Sequence, residues 1–286
     1  MTEEKKAPEA EQKTEDKKKK PSIWQTIRGY IFLLLFFFSI KLFLFDPMKV
    51  PTSSLTPNVV VGDWILVNKF SYGYSNHSIY FTPNIIEDRV FSSQPQRGDI
   101  ISFAGPGPKH DDADTNYVKR LVGLPGDRIQ MIGGKLHING QPCLYEEIED
   151  YEYYGDNDRM DSRFNGKKVK RYIEKFPIGD PRPHEIVKVS GRWGNGSFLT
   201  DDSDMPLAVS RDDTVEFIVK EGHYFFMGDN RDLSGDCRNP DRMAQVPFKN
   251  LIGRVDRLFI STTARWWNPL EWFTKMKYGR IFKKVI

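Results

Sequence analysis

Val50-Pro51-Thr52-Ser53-Ser54-Leu55-Thr56-Pro57 runs straight into Asn58-Val59-Val60-Val61-Gly62-Asp63-Trp64-Ile65-Leu66-Val67-Asn68-Lys69, and the reading of the chain turns on this stretch. Two prolines bracket a run of small hydroxyl residues, with an apolar strand-like segment on each side. Proline fixes its own φ and disfavours helix in the residue before it, so Val50 is expected to end a strand and Thr52 to Thr56 to turn. Such a turn holds one hydroxyl at a fixed place on the surface. The same composition also makes an ordinary Ser/Thr turn, so its meaning depends on what lies downstream.

Two further segments change the balance. In Tyr117-Val118-Lys119-Arg120-Leu121-Val122-Gly123-Leu124-Pro125-Gly126-Asp127, a lysine interrupts a strand-like apolar pattern that ends in a tight turn. Taken alone, such a lysine snorkels to water. Met227-Gly228-Asp229-Asn230-Arg231-Asp232-Leu233-Ser234-Gly235-Asp236-Cys237-Arg238 then forms a charged loop after an aromatic run. Ser, then Lys, then this Gly-Asp-Asn box, in this order and spacing, resembles the type I signal peptidase family over most of residues 46–132 and 222–261.

The chemistry requires these residue types. A serine hydroxyl is a weak nucleophile at neutral pH and needs a base within hydrogen-bond reach. A lysine can replace the usual histidine if it is neutral, which for a group titrating near 10.4 requires burial among apolar neighbours. Tyr117, Val118, Leu121 and Val122 are suitable walls. The resemblance implies Ser54 as nucleophile and Lys119 as general base, with an oxyanion hole made by the Ser54 backbone N–H and the Thr52 hydroxyl. It further implies that Ser234 hydrogen-bonds and orients the lysine, that Asp236 and Arg238 form a structural ion pair, and that Asp229 and Arg231 brace the loop. Met48, Val50, Tyr117 and Val118 match positions that line the pockets for small side chains at the −1 and −3 sites of the substrate. Packing between strands is compatible with that role. The sequence departs from the family at Ser53 (usually Gly), Leu55 (usually Met), Leu233 (commonly Asn) and Cys237 (often Ser).

The chain has 286 residues, a net charge of +3, five histidines and two cysteines. Mixed charge of that size gives no footprint for nucleic acid. No Cys-x-x-Cys or His-Glu-x-x-His spacing occurs, which excludes the familiar zinc-protease patterns, and the expected enzyme uses no cofactor. Whether Cys143 and Cys237 pair cannot be read from the sequence.

Residues 1–20 are almost wholly charged or polar, ending in Lys17 to Lys20, and are expected to be a disordered cytoplasmic tail. Residues 21–46 are expected to hold a transmembrane anchor: Ile23 to Phe45 as a helix reaches roughly 35 Å, enough to cross a bilayer. A cleavable signal peptide is the competing reading, but the apolar run is long and no small-x-small site follows it. The lysine cluster and Arg28 put the N-terminus in the cytoplasm and the rest of the chain outside, which for a bacterial host means a single-pass protein of the inner membrane. Ser54 then lies nine residues beyond Phe45, close to the outer interface.

Short β-branched or aromatic runs follow at Trp64–Val67, Asp99–Phe103, Val118–Val122, Arg128–Ile132, Lys135–Ile138, Thr214–Val219 and His223–Met227, separated by turn signals such as Gly133-Gly134 and Asn139-Gly140. They predict a mainly β fold, an antiparallel barrel-like or sandwich catalytic domain in two parts, 47–140 and 214–263, with a smaller β insertion domain at 141–213. The tail, 264–286, mixes Trp266, Trp267, Trp272 and Phe273 with basic residues. It suits a membrane interface or packing on the sheet equally well. The expected partners are preprotein signal peptides, the lipid bilayer and the secretion translocon. A self-cleaving repressor shares the Ser-Lys chemistry but carries a DNA-binding domain where this chain has an apolar span. An inert β domain that binds preproteins is the non-enzymatic alternative.

Overall fold

The computed structural model describes residues 22–79, 86, 89–105, 115–154, 164–179, 182–188, 212–265 and 267–285. The expected tail at 1–20 lies outside them, as does Trp266.

Helix α1, Ile23–Ser39, is continued by a π-helical turn over Ile40–Leu44. It carries no charge between Arg28 and Lys41, and the 22 residues Ile23–Leu44 are long and apolar enough to cross a membrane. None of its residues is buried. This helix forms one unit, and residues 40–286 form a second.

The second unit is built from antiparallel strands. In chain order these are β1 (Phe45–Lys49), β2 (Asp63–Asn68), β3 (Ile100–Ala104), β4 (Asn116–Gly123), β5 (Arg128–Ile132), β6 (Lys135–Ile138), β7 (Gln141–Pro142) and β8 (Leu144–Glu152), followed by β9 (Lys168–Lys175), β10 (His184–Lys188), β11 (Phe217–Ile218), β12 (His223–Met227), β13 (Val246–Pro247) and β14 (Leu251–Ser261). Seven make the main sheet in the order β1-β2-β14-β3-β4-β12-β13. A four-stranded sheet has the order β11-β5-β6-β7, and the insertion forms a three-stranded sheet β10-β9-β8. The expected strand at Thr214–Val219 contracts to β11.

The main sheet is strongly curled. Met48 on β1 brings its sulfur within 3.5 Å of the Ser102 hydroxyl on β3, although β2 and β14 lie between them in the sheet. In a flat sheet that separation is about 14 Å, three strand spacings. Bulges where β14 meets β2 and β3, and where β12 meets β4, supply the bend. The curl stops short of the expected barrel: among the described residues β1 and β13 remain edges. Inside the curl, Val50, Leu55, Val59, Ile65, Val67, Ile100, Ile252, Val255 and Leu258 form one apolar cluster. On the other side β4 and β12 pack against β5 and β6 through Leu121, Val122, Ile129, Met131, Leu136, Phe225 and Phe226.

Cys143 and Cys237 are both buried and free. In the tail, the short helix α2 (Pro269–Thr274) buries none of its residues; Trp267 and Phe273 are exposed and Trp272 is half-buried, so packing into the core is not what these side chains do.

Candidate active site

The hydroxyl turn is pinned at both ends. Val50 N–H donates to Asp63 O at 2.8 Å and Gly62 N–H to Val50 O at 3.3 Å, closing Pro51 to Val61 into a loop over β2. Within it Thr56 N–H donates to Ser53 O at 3.0 Å and Val59 N–H to Leu55 O at 3.0 Å. The Leu55 side chain, fully buried in the apolar cluster, anchors the residue beside Ser54. Thr52 Oγ1 lies 3.4 Å from Ser54 Oγ. Ser53 and Thr56, the neighbouring hydroxyls, are themselves buried, Ser53 at 4% exposure and Thr56 at 0%.

Lys119 and Arg120 are consecutive on β4, so their side chains leave opposite faces of the sheet, and both are buried. Burial pulls the Lys119 ammonium down to about 8, against the opposing attraction of Asp236 and Asp229. Arg120 is held by a fork: Nε and Nη2 donate to the two Asp229 carboxylate oxygens at 2.7 and 2.8 Å, and Nη1 donates to Gly98 O at 2.8 Å.

The Gly-Asp-Asn loop links both parts. Asp236 accepts from Arg238 Nε at 2.8 Å and Nη2 at 2.9 Å and from Gly228 N–H at 2.9 Å. Burial opposes its ionisation, but Arg238 and these donors bring the Asp236 carboxyl down to about 2. Gly228 is required by close approach: a Cβ there would sit 2.2 Å from Ser234 Oγ and 2.5 Å from Ser54 O. Asn230 N–H donates to Ser54 O at 3.1 Å. The loop that carries the charges acting on Lys119 therefore also grips the backbone of Ser54.

Three details differ from the reading of the sequence. Ser234 Oγ, buried against Gly228, has no hydrogen-bond partner among the described residues, so the bond expected between Ser234 and Lys119 is not made here. Asp229 and Arg231 tie the loop to partners outside the box, which the sequence did not identify. Asp229 takes Arg120 and the Asn58 amide, at 2.8 Å, and Arg231 takes Glu174 of β9. The insertion also holds the loop. Strand β10 docks on the loop, with Val187 N–H donating to Asp229 O and Arg231 N–H to Val187 O, each at 3.0 Å. Asn58 Nδ2 also reaches Glu185 O at 2.7 Å.

Arg120, Asn58, Tyr153, Glu174 and His184 thus join the site's surroundings without having been singled out in the sequence. One signal pointed to Arg120: two adjacent cations inside an apolar strand cannot both snorkel, so at least one demands a buried carboxylate. Burial, and then the nearby Arg120, hold His184 in its neutral form, and its imidazole donates to Glu174 at 2.9 Å.

Met48 is half-buried, Val50 buried, and Tyr117 and Val118 half-buried at the start of β4. Val50 belongs to the same apolar cluster as Leu55, and Met48 and Val118 border it, which places these three side chains around the base of the Ser54 turn, whereas Tyr117 packs against the other cluster, stacked on Phe103.

A hydroxyl turn and a buried lysine joined by one charged loop in a curled antiparallel sheet define a candidate serine hydrolase site. The family model described as signal peptidase, peptidase S26, matches residues 23–260. Signal peptidase I of Rickettsia typhi is 32% identical over 92% of this chain and 94% of its own, and that of Rickettsia prowazekii is 32% identical over the same shares. A crystal structure of a signal peptidase I from Enterococcus faecalis is 21% identical and aligns with 57% of this chain and 97% of its own, at a TM-score of 0.27. The protein is a serine peptidase. It belongs to the signal peptidase family S26, and its apolar N-terminal helix makes it a membrane-anchored member.

Proposed function

We propose that this peptidase removes signal peptides from exported preproteins after small-x-small sites, with Ser54 as nucleophile and Lys119 as general base. Neutral Lys119 takes the Ser54 proton as Oγ attacks the scissile carbonyl, and returns it to the leaving amine. The Ser54 N–H and the Thr52 hydroxyl, 3.4 Å from Ser54 Oγ, stabilise the oxyanion. Water then attacks the acyl-enzyme with the same lysine as base. Asp236 with Arg238, and Asp229 with Arg231, hold the loop between the two catalytic side chains, and Ser234 orients the lysine when substrate closes the site. Met48, Val50, Tyr117 and Val118 shape pockets that admit only small side chains.

The observation that carries this reading is the burial of Lys119, with its proton affinity lowered to about 8, against the loop that grips Ser54. An ordinary strand lysine reaches water. By the positive-inside rule the lysine-rich N-terminus is cytoplasmic, so the catalytic unit faces outward at a bacterial inner membrane. There it meets preproteins emerging from the translocon, with the exposed Trp267 and Phe273 at headgroup depth.

The test is cleavage of a labelled preprotein in detergent by the wild type, Ser53→Ala, Ser54→Ala and Lys119→Ala. Wild type and Ser53→Ala should cut at the small-x-small site while the other two stay folded and inactive. Cutting by Ser54→Ala would remove the proposed nucleophile.

A further inference from the structure

The carbonyls of Ser53 and Ser54 are both held by one residue, Asn230. Its backbone N–H donates to Ser54 O at 3.1 Å, and its side-chain Nδ2 donates to Ser53 O at 3.2 Å and to the Tyr153 hydroxyl at 3.0 Å. Asn230 and Tyr153 are fully buried. A carbonyl oxygen can only accept, so the nitrogen side of the amide must face Ser53.

Ser53 C=O and Ser54 N–H belong to the same peptide unit. That unit is planar and trans, so its carbonyl and its N–H point in opposite directions. Whatever fixes Ser53 O therefore fixes the line along which the Ser54 N–H points. Thr56 N–H, at 3.0 Å from the same oxygen, imposes this from within the turn, and Asn230 imposes it from the loop opposite. The loop cannot follow a rotating peptide, because Val187 of β10 bonds it on both sides of Asn230.

We infer that Asn230 is a positioning residue for catalysis: its side-chain amide orients the Ser53–Ser54 peptide so that the Ser54 N–H faces the developing oxyanion, and Tyr153, just beyond the end of β8 in the insertion, holds that amide in place. The inference rests on the proposed role of Ser54 and extends it to the insertion, which reaches the reaction through the Tyr153 hydroxyl and through Val187. Tyr153 is seated for this by its own packing against Val169, Val187 and Phe164.

Asn230→Asp is the sharpest test, because it keeps the shape but turns an acceptor toward the Ser53 carbonyl, driving the peptide away from its present orientation. The expected loss in kcat is roughly a hundredfold, the scale of losing one oxyanion donor. KM should stay within about twofold; the new carboxylate adds to the attraction of Asp229 and Asp236 for the Lys119 proton, so the rising pH limb of Asn230→Asp should move up and kcat is compared on the plateau, whereas the neutral variants should leave the limb in place. Asn230→Ala, which leaves Thr56 N–H in place, should lose about tenfold, and Tyr153→Phe about threefold, with the same split between kcat and KM. Rates are normalised to the folded fraction from thermal unfolding, and if Asn230→Asp fails to fold, the other two variants decide. Unchanged kcat in the folded variants, a loss carried by KM, or a pH limb displaced in Asn230→Ala or Tyr153→Phe would overturn the inference. Ser54→Ala is assayed alongside. Activity there removes the underlying nucleophile, whereas an inactive Ser54→Ala beside a fully active Asn230→Asp removes only the role given to Asn230.

Discussion

Arg231 and Glu174 close on each other as a fork in the interior, one on the active-site loop and the other on strand β9 of the insertion, with side-chain exposures of 2% and 0%. Arg231 Nη1 donates at 2.7 Å, and the neutral His184 and the Tyr145 hydroxyl donate to the same carboxylate. Burial works against the charge, but these donors keep the Glu174 carboxyl well below the usual range. Glu174→Gln leaves a buried guanidinium without its counter-charge, and breaking such a pair costs about 3–5 kcal/mol. A lower urea midpoint at unchanged slope is the expected outcome; a shift of less than about 1 kcal/mol would mean the loop is braced elsewhere.

Stability should fall in acid, and the sign follows from the same carboxylates. Asp236, at about 2, and Glu174 bind protons less readily folded than unfolded. As the pH drops through about 4 the unfolded chain takes up protons first, so their contribution, complete above that point, is lost progressively down to about pH 2. Urea midpoints measured from pH 6 to 2 should trace this fall. A Glu174→Gln, Asp236→Asn double variant should show a shallower slope.

Lys119 acts in the opposite direction. Lowering its proton affinity from 10.5 to about 8 destabilises the folded state by about 3 kcal/mol at neutral pH, each factor of ten being about 1.4 kcal/mol. The loss is complete below about pH 8 and fades as the pH rises toward the unfolded value. Lys119→Met, an apolar side chain of similar length, should therefore melt at a higher temperature than wild type while being inactive. A lower melting temperature would show that the ammonium is better satisfied than its burial implies.

In the proposed mechanism the same group sets the pH dependence of activity. Only the neutral amine accepts the serine proton, so kcat/KM should rise tenfold per pH step below about 8 and level off above it. A profile flat from pH 6 to 10 would exclude a lysine base.

Gly228→Ala probes the junction itself. The added methyl would meet Ser234 through its Oγ and Cβ, and Ser54 O, which is backbone and cannot yield without displacing the proposed nucleophile. Cleavage should fall by more than a hundredfold, on the scale of misplacing a catalytic group. A fall of less than tenfold would show that the loop yields to the methyl without moving Ser54.

The strands flanking the hydroxyl turn, and those carrying Lys119 and the Gly-Asp-Asn box, could be read from the sequence because each is a short apolar run between turn residues. Strand β14, the longest, could not. Arg254, Asp256 and Arg257 break its apolar character, and its bulges shift the alternation twice against β2. In β8 most side chains are exposed on both faces, so no two-residue period marks it. The partners of Asp229 and Arg231 were hidden for another reason: Arg120 and Glu174 lie 109 and 57 residues away, and only the folded sheet brings them close.

Strand β14 sits between β2 and β3, pairing Arg254 with Asn68 and with Ile101. Synthesis delivers it late, and until it arrives the hairpin that holds Ser54 and the strands that hold Lys119 are joined through the Gly-Asp-Asn loop but not through the main sheet. Joining them closes loops of well over a hundred residues, the slow kind of contact in folding. The register between the two halves of the sheet, one holding Ser54 and the other Lys119, is thus written in a strand that follows both in the chain.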